Sequence, residues 1–210
     1  MYVRNHMLPK EKLTTVNLND TIGTALEKIN EGKFLSLPVF DGDVFKGIIM
    51  KEAIYRHYFD QVSKDKTAFL NDLVVGDLYS NIYESIHENE RIERASYLLK
   101  KLSTPFLAVM DSNNKFVGIL THVAIFNAFA EIFGFEYGSR IVVNMFDIPG
   151  QLARLTEVLR RENANILNFT IVDAKILDIM RVILRVETED LNGLIEKIQA
   201  AGFKIGEFSK

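Results

Sequence analysis

The stretch Asp147-Ile-Pro-Gly150 combines a carboxylate with a tight turn and directly precedes an amphipathic helix. The segment before it alternates apolar residues from face to face, which is the periodicity of a β-strand, and Leu152 begins a stripe of leucines at helical spacing after it. Pro149 fixes its own φ, and Gly150 permits close approach of the backbone. We therefore predict a strand that leads into a helix through a glycine turn.

This turn could hold a small polar molecule. Backbone N–H groups at a helix N-terminus next to Gly150 would form a site for an anion such as a carboxylate. The Asp147 carboxylate could accept hydrogen bonds from an ammonium group, and Asn165, which is followed by Ile166 after the helix, could both donate and accept. Equally, Asp147 could cap the helix and Asn165 could satisfy a turn. The residues alone leave both interpretations open.

The composition argues against several classes of function. The chain has 210 residues, of which 48% are hydrophobic, and its formal net charge is -3. It is therefore long enough for one or two ordinary domains, or for more if they are small. The absence of a basic excess argues against nucleic acid or an anionic membrane surface as the main partner. Without cysteine there is no disulfide framework and no thiol nucleophile.

The N-terminal segment resembles no signal peptide, and we recognise no catalytic motif in the sequence. The N-terminal segment MYVRNHMLPKEK lacks the apolar region of a signal peptide, and the most apolar helical run, from Val123 to Phe135, is too short to span a bilayer. The four histidines lack the spacing of a metal site, and no nucleophile elbow, phosphate loop or dinucleotide fingerprint is found. We expect a cytoplasmic protein that is not an enzyme and has no metal or resident cofactor.

The sequence before Ser139 contains one pattern twice. Ile22 aligns with Ile92 and, after one inserted residue in the second copy, Gly47 aligns with Gly118. Each copy has the pattern helix, strand, turn, strand, helix. A unit of this size cannot bury its apolar face alone, so the two copies should pack against each other.

The duplicated pattern resembles a tandem pair of cystathionine-β-synthase (CBS) domains. The residues that carry the resemblance are LPVFD with GIIMKEAI in the first copy and LAVMD with GILTHVAI in the second. The C-terminal segment resembles an ACT domain through Asp-x-Pro-Gly-x-Leu with Asn-Ile downstream. The order CBS, CBS, ACT is similar to that of the acetoin-utilisation accessory proteins and related CBS-ACT proteins of bacteria, which are regarded as ligand-sensing regulators.

The resemblance implies an α+β fold. We expect two CBS repeats, at residues 1–62 and 63–136, packed as a Bateman-type module, and a ferredoxin-like βαββαβ ACT domain at residues 137–210. The polar stretch at residues 60–69 is the predicted linker between the repeats.

CBS pairs that bind adenosine compounds usually end each repeat with Gly-h-x-Ser/Thr-x-x-Asp, where h is apolar. The hydroxyl meets a phosphate, and the carboxylate pairs with ribose hydroxyls. The first copy has Met50 and Ala53 at the two polar positions, whereas the second keeps Thr121 but has Ala124 in place of the carboxylate. Each lost hydrogen bond to a charged group costs about 1.5 to 3 kcal/mol, which corresponds to roughly ten- to a hundredfold weaker binding.

The resemblance still implies a site for an adenosine-containing ligand such as AMP, ADP or ATP, most plausibly at Thr121. The residues at family-like pocket positions, together with the neighbouring histidine, are Thr15, Leu37, Ser85, Phe106, Leu107, Thr121 and His122. Lys51, Arg56 and His57 are close to the altered motif in sequence and could contact phosphate, or they could form a solvated helix face.

ACT domains commonly bind an amino acid at the junction of two subunits, with the turn after the first strand and the start of the second strand. The resemblance thus implies an amino-acid site formed by Asp147, Pro149, Gly150, Leu152, Asn165 and Ile166. The same sequence motif would also be present in an ACT domain that only dimerises and binds no ligand.

Together these features predict a non-enzymatic, ligand-sensing regulatory protein. Its CBS pair would bind an adenosine-containing ligand, and its ACT domain would bind an amino acid or dimerise. We expect a homodimer, because ACT sheets commonly join edge to edge and so cover open strand edges, and we expect an unidentified protein partner as the output. The alternatives are a ligand-free dimeric scaffold and a regulatory subunit of an enzyme in an acetoin or amino-acid pathway.

Overall fold

The chain forms two compact units, Met1–Ala128 and Phe129–Lys210. The structure is a computed structural model, and it describes residues 1–60, 65–101, 104–135, 137–176 and 178–209. Among these residues, no helix combines the length and the apolar character needed to cross a membrane. The fold class is α+β, as predicted.

The first unit contains both sequence repeats. Its elements in chain order are β1 (Leu8–Pro9), β2 (Val16–Asn17), α1 (Ile22–Glu31), β3 (Ser36–Asp41), β4 (Val44–Met50), α2 (Lys51–Asp60), α3 (Lys66–Asp72), α4 (Val75–Leu78), β5 (Ser85–His87), α5 (Ile92–Lys101), β6 (Phe106–Met110), β7 (Phe116–Thr121) and α6 (His122–Ile132). The last residues of α6 are counted in the second unit. Each repeat has the predicted order of helix, strand, turn, strand and helix.

Equivalent strands form a sheet in each repeat. In the first, β2 runs parallel to β3, which is antiparallel to β4; in the second, β5 runs parallel to β6, which is antiparallel to β7. The helices α1 and α5 each bury the apolar stripe that the sequence predicts, and Ile22 and Ile92 are fully buried. Of the predicted linker, Asp60 ends α2, Asp65 caps α3 and residues 66–69 begin α3, where Phe69 packs into the core of the first repeat. These residues are therefore part of the packed fold, and residues 61–64 lie outside the described part of the chain.

Each copy of the repeated pattern is completed by a segment that lies before the other copy in the chain. The strand β1, which lies before the first copy, pairs with β7 of the second. Ser80, which lies before the second copy, exchanges two backbone hydrogen bonds of 2.8 and 2.9 Å with Ile48 of the first. A Cβ at Gly118 would collide with the Leu8 carbonyl, and a Cβ at Gly47 would collide with the Ser80 carbonyl. The two repeat glycines therefore allow the exchanged segments to pass.

The second unit is a ferredoxin-like βαββαβ domain, as predicted. Its elements after α6 are β8 (Ser139–Phe146), α7 (Gln151–Arg161), β9 (Asn165–Ile176), β10 (Ile179–Glu187), α8 (Leu191–Ala200) and β11 (Lys204–Ser209). The strand order is β11-β8-β10-β9, with all neighbours antiparallel. One face of the sheet packs on α7 and α8 around Val143, Leu155, Leu184 and Ile198. The predicted strand, glycine turn and helix are β8, the turn that ends at Gly150, and α7.

Candidate functional site

Thr121 lies at the junction between β7 and α6. Its Oγ1 accepts a hydrogen bond of 3.2 Å from the backbone N–H of Ala124, so the hydroxyl caps the N-terminus of α6. The hydroxyl keeps its own O–H donor and a second lone pair. Phe106 is the cross-strand partner of Thr121, so β6 and β7 bring these two predicted residues together. A half-buried hydroxyl at a helix N-terminus is suited to contact with a phosphate.

Two further groups lie close to this junction. The Nδ1 atom of the exposed His122 lies 3.3 Å from the carbonyl oxygen of Pro105. In the tautomer that carries a proton on Nδ1, this nitrogen donates and Nε2 remains available. Thr104, which precedes Pro105, buries its hydroxyl oxygen without a hydrogen-bond partner among the described residues. An unpaired buried hydroxyl costs about 1 to 3 kcal/mol, so Thr104 is an additional candidate for ligand contact that the sequence motif did not indicate.

The corresponding junction in the first repeat has different chemistry. Met50 occupies the position of Thr121 and packs beside the core between the repeats. Its cross-strand partner is Ser36, which is 8% exposed and is the buried polar side chain of the described residues. The first repeat thus carries its hydroxyl on β3 instead of β4. Sequence comparison of the two motif ends did not reveal this, because the serine is remote from the motif in sequence.

The remaining predicted nucleotide contacts are spread over both sheets. Leu37 and Leu107 are almost fully buried in the core and offer little side-chain surface to a ligand. Thr15 is half-buried just before β2, and its carbonyl oxygen accepts a hydrogen bond of 3.0 Å from Lys28 Nζ. Ser85 is exposed at the start of β5, where it pairs with Ala108.

The basic residues on α2 each contact another side chain of the first repeat. Arg56 forms an ion pair with Glu52 on the same helix, and this hydrogen-bonded carboxylate raises the pKa of Arg56. Lys51 lies 5.9 Å from the centre of the Tyr55 ring, and His57 stacks against Phe69. These contacts favour the interpretation of a solvated helix face over that of a phosphate site.

The contact between the repeats is aromatic. Phe45 stacks on Phe116 with ring centres 4.3 Å apart, and Phe40 meets Phe116 edge to face at 5.5 Å. Tyr83 adds another edge-to-face contact, with Phe45 at 4.8 Å. Such pairs each contribute about 0.5 to 1.5 kcal/mol beyond the area they bury. The two repeats therefore hold together through their own side chains.

In the second unit, the glycine turn has the conformation that its sequence requires. Gly150 is the N-cap of α7 and has a φ of 88°, in the left-handed region that glycine tolerates. Gly150 occupies the N-cap position and Asp147 makes no side-chain hydrogen bond among the described residues, so Asp147 does not cap the helix. The Asp147 backbone N–H donates to the Asp178 carbonyl at 2.8 Å. Pro149 is exposed, and Leu152 packs against the core.

The predicted amino-acid site is divided between the two ends of the sheet. Asp147 follows the last residue of β8, whereas Asn165 begins β9 opposite Glu187, at the level where β8 begins. At about 3.4 Å per residue, the length of β8 separates the two groups by roughly 24 Å. Ile166 lies with Asn165 and is 37% exposed. One chain therefore cannot bring Asp147 and Asn165 to the same small ligand.

Other cavities lie elsewhere on the described surface, and the three described next have no predicted site residue in their lining. One of about 450 Å³ is lined by Glu131, Gly134, Tyr137, Gly138, Leu167, Asn168 and Glu187. A second of about 390 Å³ is lined by Lys10, Glu11, Asp111, Lys115, Phe116 and Val117. A third of about 290 Å³ is lined by Asn144, Met145, Phe146, Gln151, Arg154, Ile179, Gly202, Phe203 and Lys204. Within the described ranges, no three acidic or histidine side chains are grouped to hold a metal ion.

Comparison with family models resolves the identity of the two units. The CBS-domain model matches twice, at residues 3–60 and 75–131, and the TTHA0829-like ACT-domain model matches residues 137–208. The chain belongs to the CBS-domain family and carries a C-terminal ACT domain. CBS and ACT domains are typically regulatory and non-catalytic. The α+β fold is thus a CBS pair, or Bateman-type module, with a ferredoxin-like ACT domain.

Several relatives share the CBS pair. The uncharacterized protein MJ1232 of Methanocaldococcus jannaschii is 27% identical over 115 residues, which cover 55% of this chain and 36% of the relative. The chain thus spans about a third of the length of this curated relative. CBSX2 of Arabidopsis thaliana in complex with AMP is 28% identical, with a TM-score of 0.54 over 62% of this chain and 97% of CBSX2. The CbpB protein of Listeria monocytogenes is 25% identical, with a TM-score of 0.52 over 60% of this chain and 98% of CbpB.

Proposed function

We propose that this CBS-ACT protein is a non-enzymatic sensor whose CBS pair binds an adenine nucleotide. The observation that carries the proposal is the half-buried Thr121 hydroxyl at the N-terminus of α6, where a phosphate would meet both the O–H group and the helix dipole. The likeness to CBSX2, a CBS pair in complex with AMP at 28% identity, supports the same ligand class. Thr104 would supply a second hydroxyl.

The first repeat is the weaker candidate for nucleotide binding. Met50 places a thioether where the motif has a hydroxyl. The basic side chains of α2 are already engaged, since Arg56 pairs with Glu52 and Lys51 lies over the Tyr55 ring. We therefore assign one site per chain, in the second repeat. A signal would arise because the nucleotide binds one arrangement of the protein more tightly than another, and its output would pass to a partner protein.

A thermal-shift panel on the intact protein tests this proposal. AMP, ADP, ATP, S-adenosylmethionine, cyclic dinucleotides and the common amino acids would each be present at millimolar concentration. A nucleotide at 100 times its dissociation constant stabilises the folded state by about 2.7 kcal/mol, which should raise the melting temperature by several degrees. No shift with any adenosine compound would remove the basis for a nucleotide sensor.

The ACT domain has two possible roles within this proposal. Its turn at Asp147 and its second strand at Asn165 could form an amino-acid site only if a second chain supplies one of the two. The edge strand β9 carries the exposed apolar residues Ile171 and Val172, which suits association with another copy. We favour a homodimer, in which the amino acid is bound between chains or the ACT domain only dimerises.

The alternative function is a ligand-free scaffold. The aromatic packing of Phe40, Phe45 and Phe116 joins the repeats without a nucleotide, and the first motif lacks both polar groups. In this case the protein would present a partner-binding surface that does not change with ligand. It could then serve as a regulatory subunit of an enzyme in an acetoin or amino-acid pathway, which is the role that the resemblance to acetoin-utilisation accessory proteins implies. Co-purification from a native extract without any metabolic enzyme would count against that subunit role.

The extent of the three domains and the cellular location belong to the same proposal. We keep residues 1–62, 63–136 and 137–210 as the CBS repeats and the ACT domain, with the exchanged segments crossing the first boundary. A cytoplasmic location fits the adenine nucleotides and amino acids proposed as ligands.

A further inference from the structure

The cavity of about 290 Å³ in the ACT domain lies where β11 stops short of the end of β8. Lys204, the first residue of β11, pairs with Asn144, so Met145 and Phe146 have a neighbouring strand only on the β10 side. The first turn of α7 and the turn after α8 enclose the remaining space. This volume is at the small end of the range for ligand sites, so it suits a molecule of a few carbon atoms.

The cavity has a positively charged rim. Arg154 and Lys204 both line it, and neither forms an ion pair with a carboxylate anywhere in the described part of the chain. The acidic residues nearest along the chain, Asp147 and Asp178, are not among its lining residues.

The guanidinium group of Arg154 is held in place. Its Nη2 donates to the Ala201 carbonyl at 3.0 Å, its Nη1 lies 3.4 Å from Gln151 Oε1, and its plane lies over the Phe203 ring at 5.4 Å. Other N–H groups of the guanidinium remain to donate to a ligand. A pre-positioned arginine loses less side-chain entropy on binding than a mobile one.

The floor of the cavity is apolar. Met145 and Phe203 are buried, and Ile179 is half-buried beside them. Asn144 and Gln151, both half-buried, also line the cavity. An apolar floor with a few convergent polar groups is the usual make-up of a small-molecule site.

We infer that this cavity binds a small organic carboxylate that has an apolar chain and no ammonium group. The two cations would pair with the carboxylate, and the floor would receive the chain. An α-ammonium group would find no carboxylate partner in the lining and would face Arg154 and Lys204 with like charge. The site therefore differs in chemistry from the amino-acid site proposed at Asp147 and Asn165, although its lining residues Phe146 and Gln151 flank the turn at residues 147–150.

Calorimetry on the full chain with 4-methyl-2-oxopentanoate and with leucine tests the inference, because the two probes share a carbon skeleton and differ at the α-position. We expect binding of the oxo acid, and binding of leucine that is at least about tenfold weaker. Arg154→Gln and Lys204→Gln should each weaken oxo-acid binding about ten- to a hundredfold. Arg161→Gln, the same change on the same helix at a residue paired with Glu157, should leave it unchanged.

The inference would be overturned by no binding of the oxo acid at millimolar concentration, by equal binding of leucine, or by equal losses in Arg154→Gln and Arg161→Gln. Inorganic phosphate that bound as tightly as the oxo acid would also contradict it, because phosphate makes no use of the apolar floor. If Arg154→Gln lowers the melting temperature through its lost contact with Ala201, the exposed Lys204→Gln decides the question.

Discussion

Ala124 stands one helical turn after Thr121, at the position where the nucleotide-binding motif has a carboxylate. The sequence was sufficient to identify both residues and the missing carboxylate, because the motif is local. It was not sufficient to identify Ser36 or the unpaired hydroxyl of Thr104, because their positions depend on cross-strand pairing and on burial. Local chemistry is thus predictable from the sequence, whereas contacts between segments are not.

Restoring the carboxylate should strengthen nucleotide binding. In Ala124→Asp, the new side chain can pair with ribose hydroxyls, and its charge is favourable in the first turn of α6. We expect about tenfold tighter binding of AMP by calorimetry, with unchanged or slightly raised stability. Ala53→Asp in the first repeat is the control, since Met50 leaves that junction without the hydroxyl. Equal gains in both variants would contradict a site at Thr121.

Glu157 should make the free energy of unfolding depend on pH in the acid range. Hydrogen bonds from Arg160, and then from Arg161, lower its pKa from an ordinary 4.5 to about 2. Because the folded-state pKa is depressed, this stabilisation is present above the unfolded-state pKa and is lost as the pH falls from about 5 to about 2. The pairs are exposed, so the effect is small and should weaken with salt.

Urea unfolding at stepped pH measures this dependence. Glu157→Gln should lose less stability over that pH window than the parent protein. Glu196→Gln is the control, because Glu196 is exposed on α8 and forms no ion pair among the residues described. An identical slope in all three proteins would show that the surface pairs contribute nothing.

At the scale of elements, periodicity was a reliable guide to the strands and helices. The alternation before Asp147 and the leucine stripe after it correspond to β8 and α7, and the repeat pattern corresponds to two sheets of the same plan. The exchange of β1 and of the segment at Ser80 between repeats could not be predicted. Both segments are short, and periodicity indicates a buried face without indicating which sheet receives it.

Gly118→Ala should displace the exchanged strand. A Cβ at this position meets the backbone of Leu8, which cannot move aside as a flexible side chain could. We expect a loss of about 1 to 3 kcal/mol in unfolding free energy and faster amide hydrogen exchange in residues 1–12. Gly42→Ala, which has a φ of 57° and open space around the Cβ, should cost about 1 kcal/mol of backbone strain without changing that exchange. Unaltered exchange in Gly118→Ala would show that the contact with Leu8 is not limiting.

At the scale of the whole molecule, the separation of Asp147 from Asn165 requires a second chain for any shared ligand. The sequence suggested both residues but not their distance. The two residues flank one helix in the sequence, but they lie at opposite ends of β8 and β9, which run in the same direction on either side of β10. The ACT-domain model matches residues 137–208 but does not indicate whether two chains associate. The proposed amino-acid site must therefore be tested in an oligomer.

Mixing two inactive chains tests a site shared between subunits. Asp147→Ala and Asn165→Ala should each abolish the response to any amino acid that stabilises the parent protein in the thermal panel. In an equimolar mixture, random pairing of chains should restore about a quarter of the sites, all of them in heterodimers. Calorimetric titration would count them. If the mixture bound no more amino acid than either variant alone, the result would contradict a site shared between subunits.

The proposed nucleotide site is tested most directly by calorimetric titration of AMP into the parent protein, Thr121→Val and Thr121→Ser. Valine keeps the shape of threonine without its hydroxyl, whereas serine keeps both the hydroxyl and the helix cap. We expect the parent and Thr121→Ser to bind AMP with similar affinity, and Thr121→Val to bind AMP at least about tenfold more weakly. Equal affinity in all three proteins, or no binding to the parent at millimolar AMP, would contradict it.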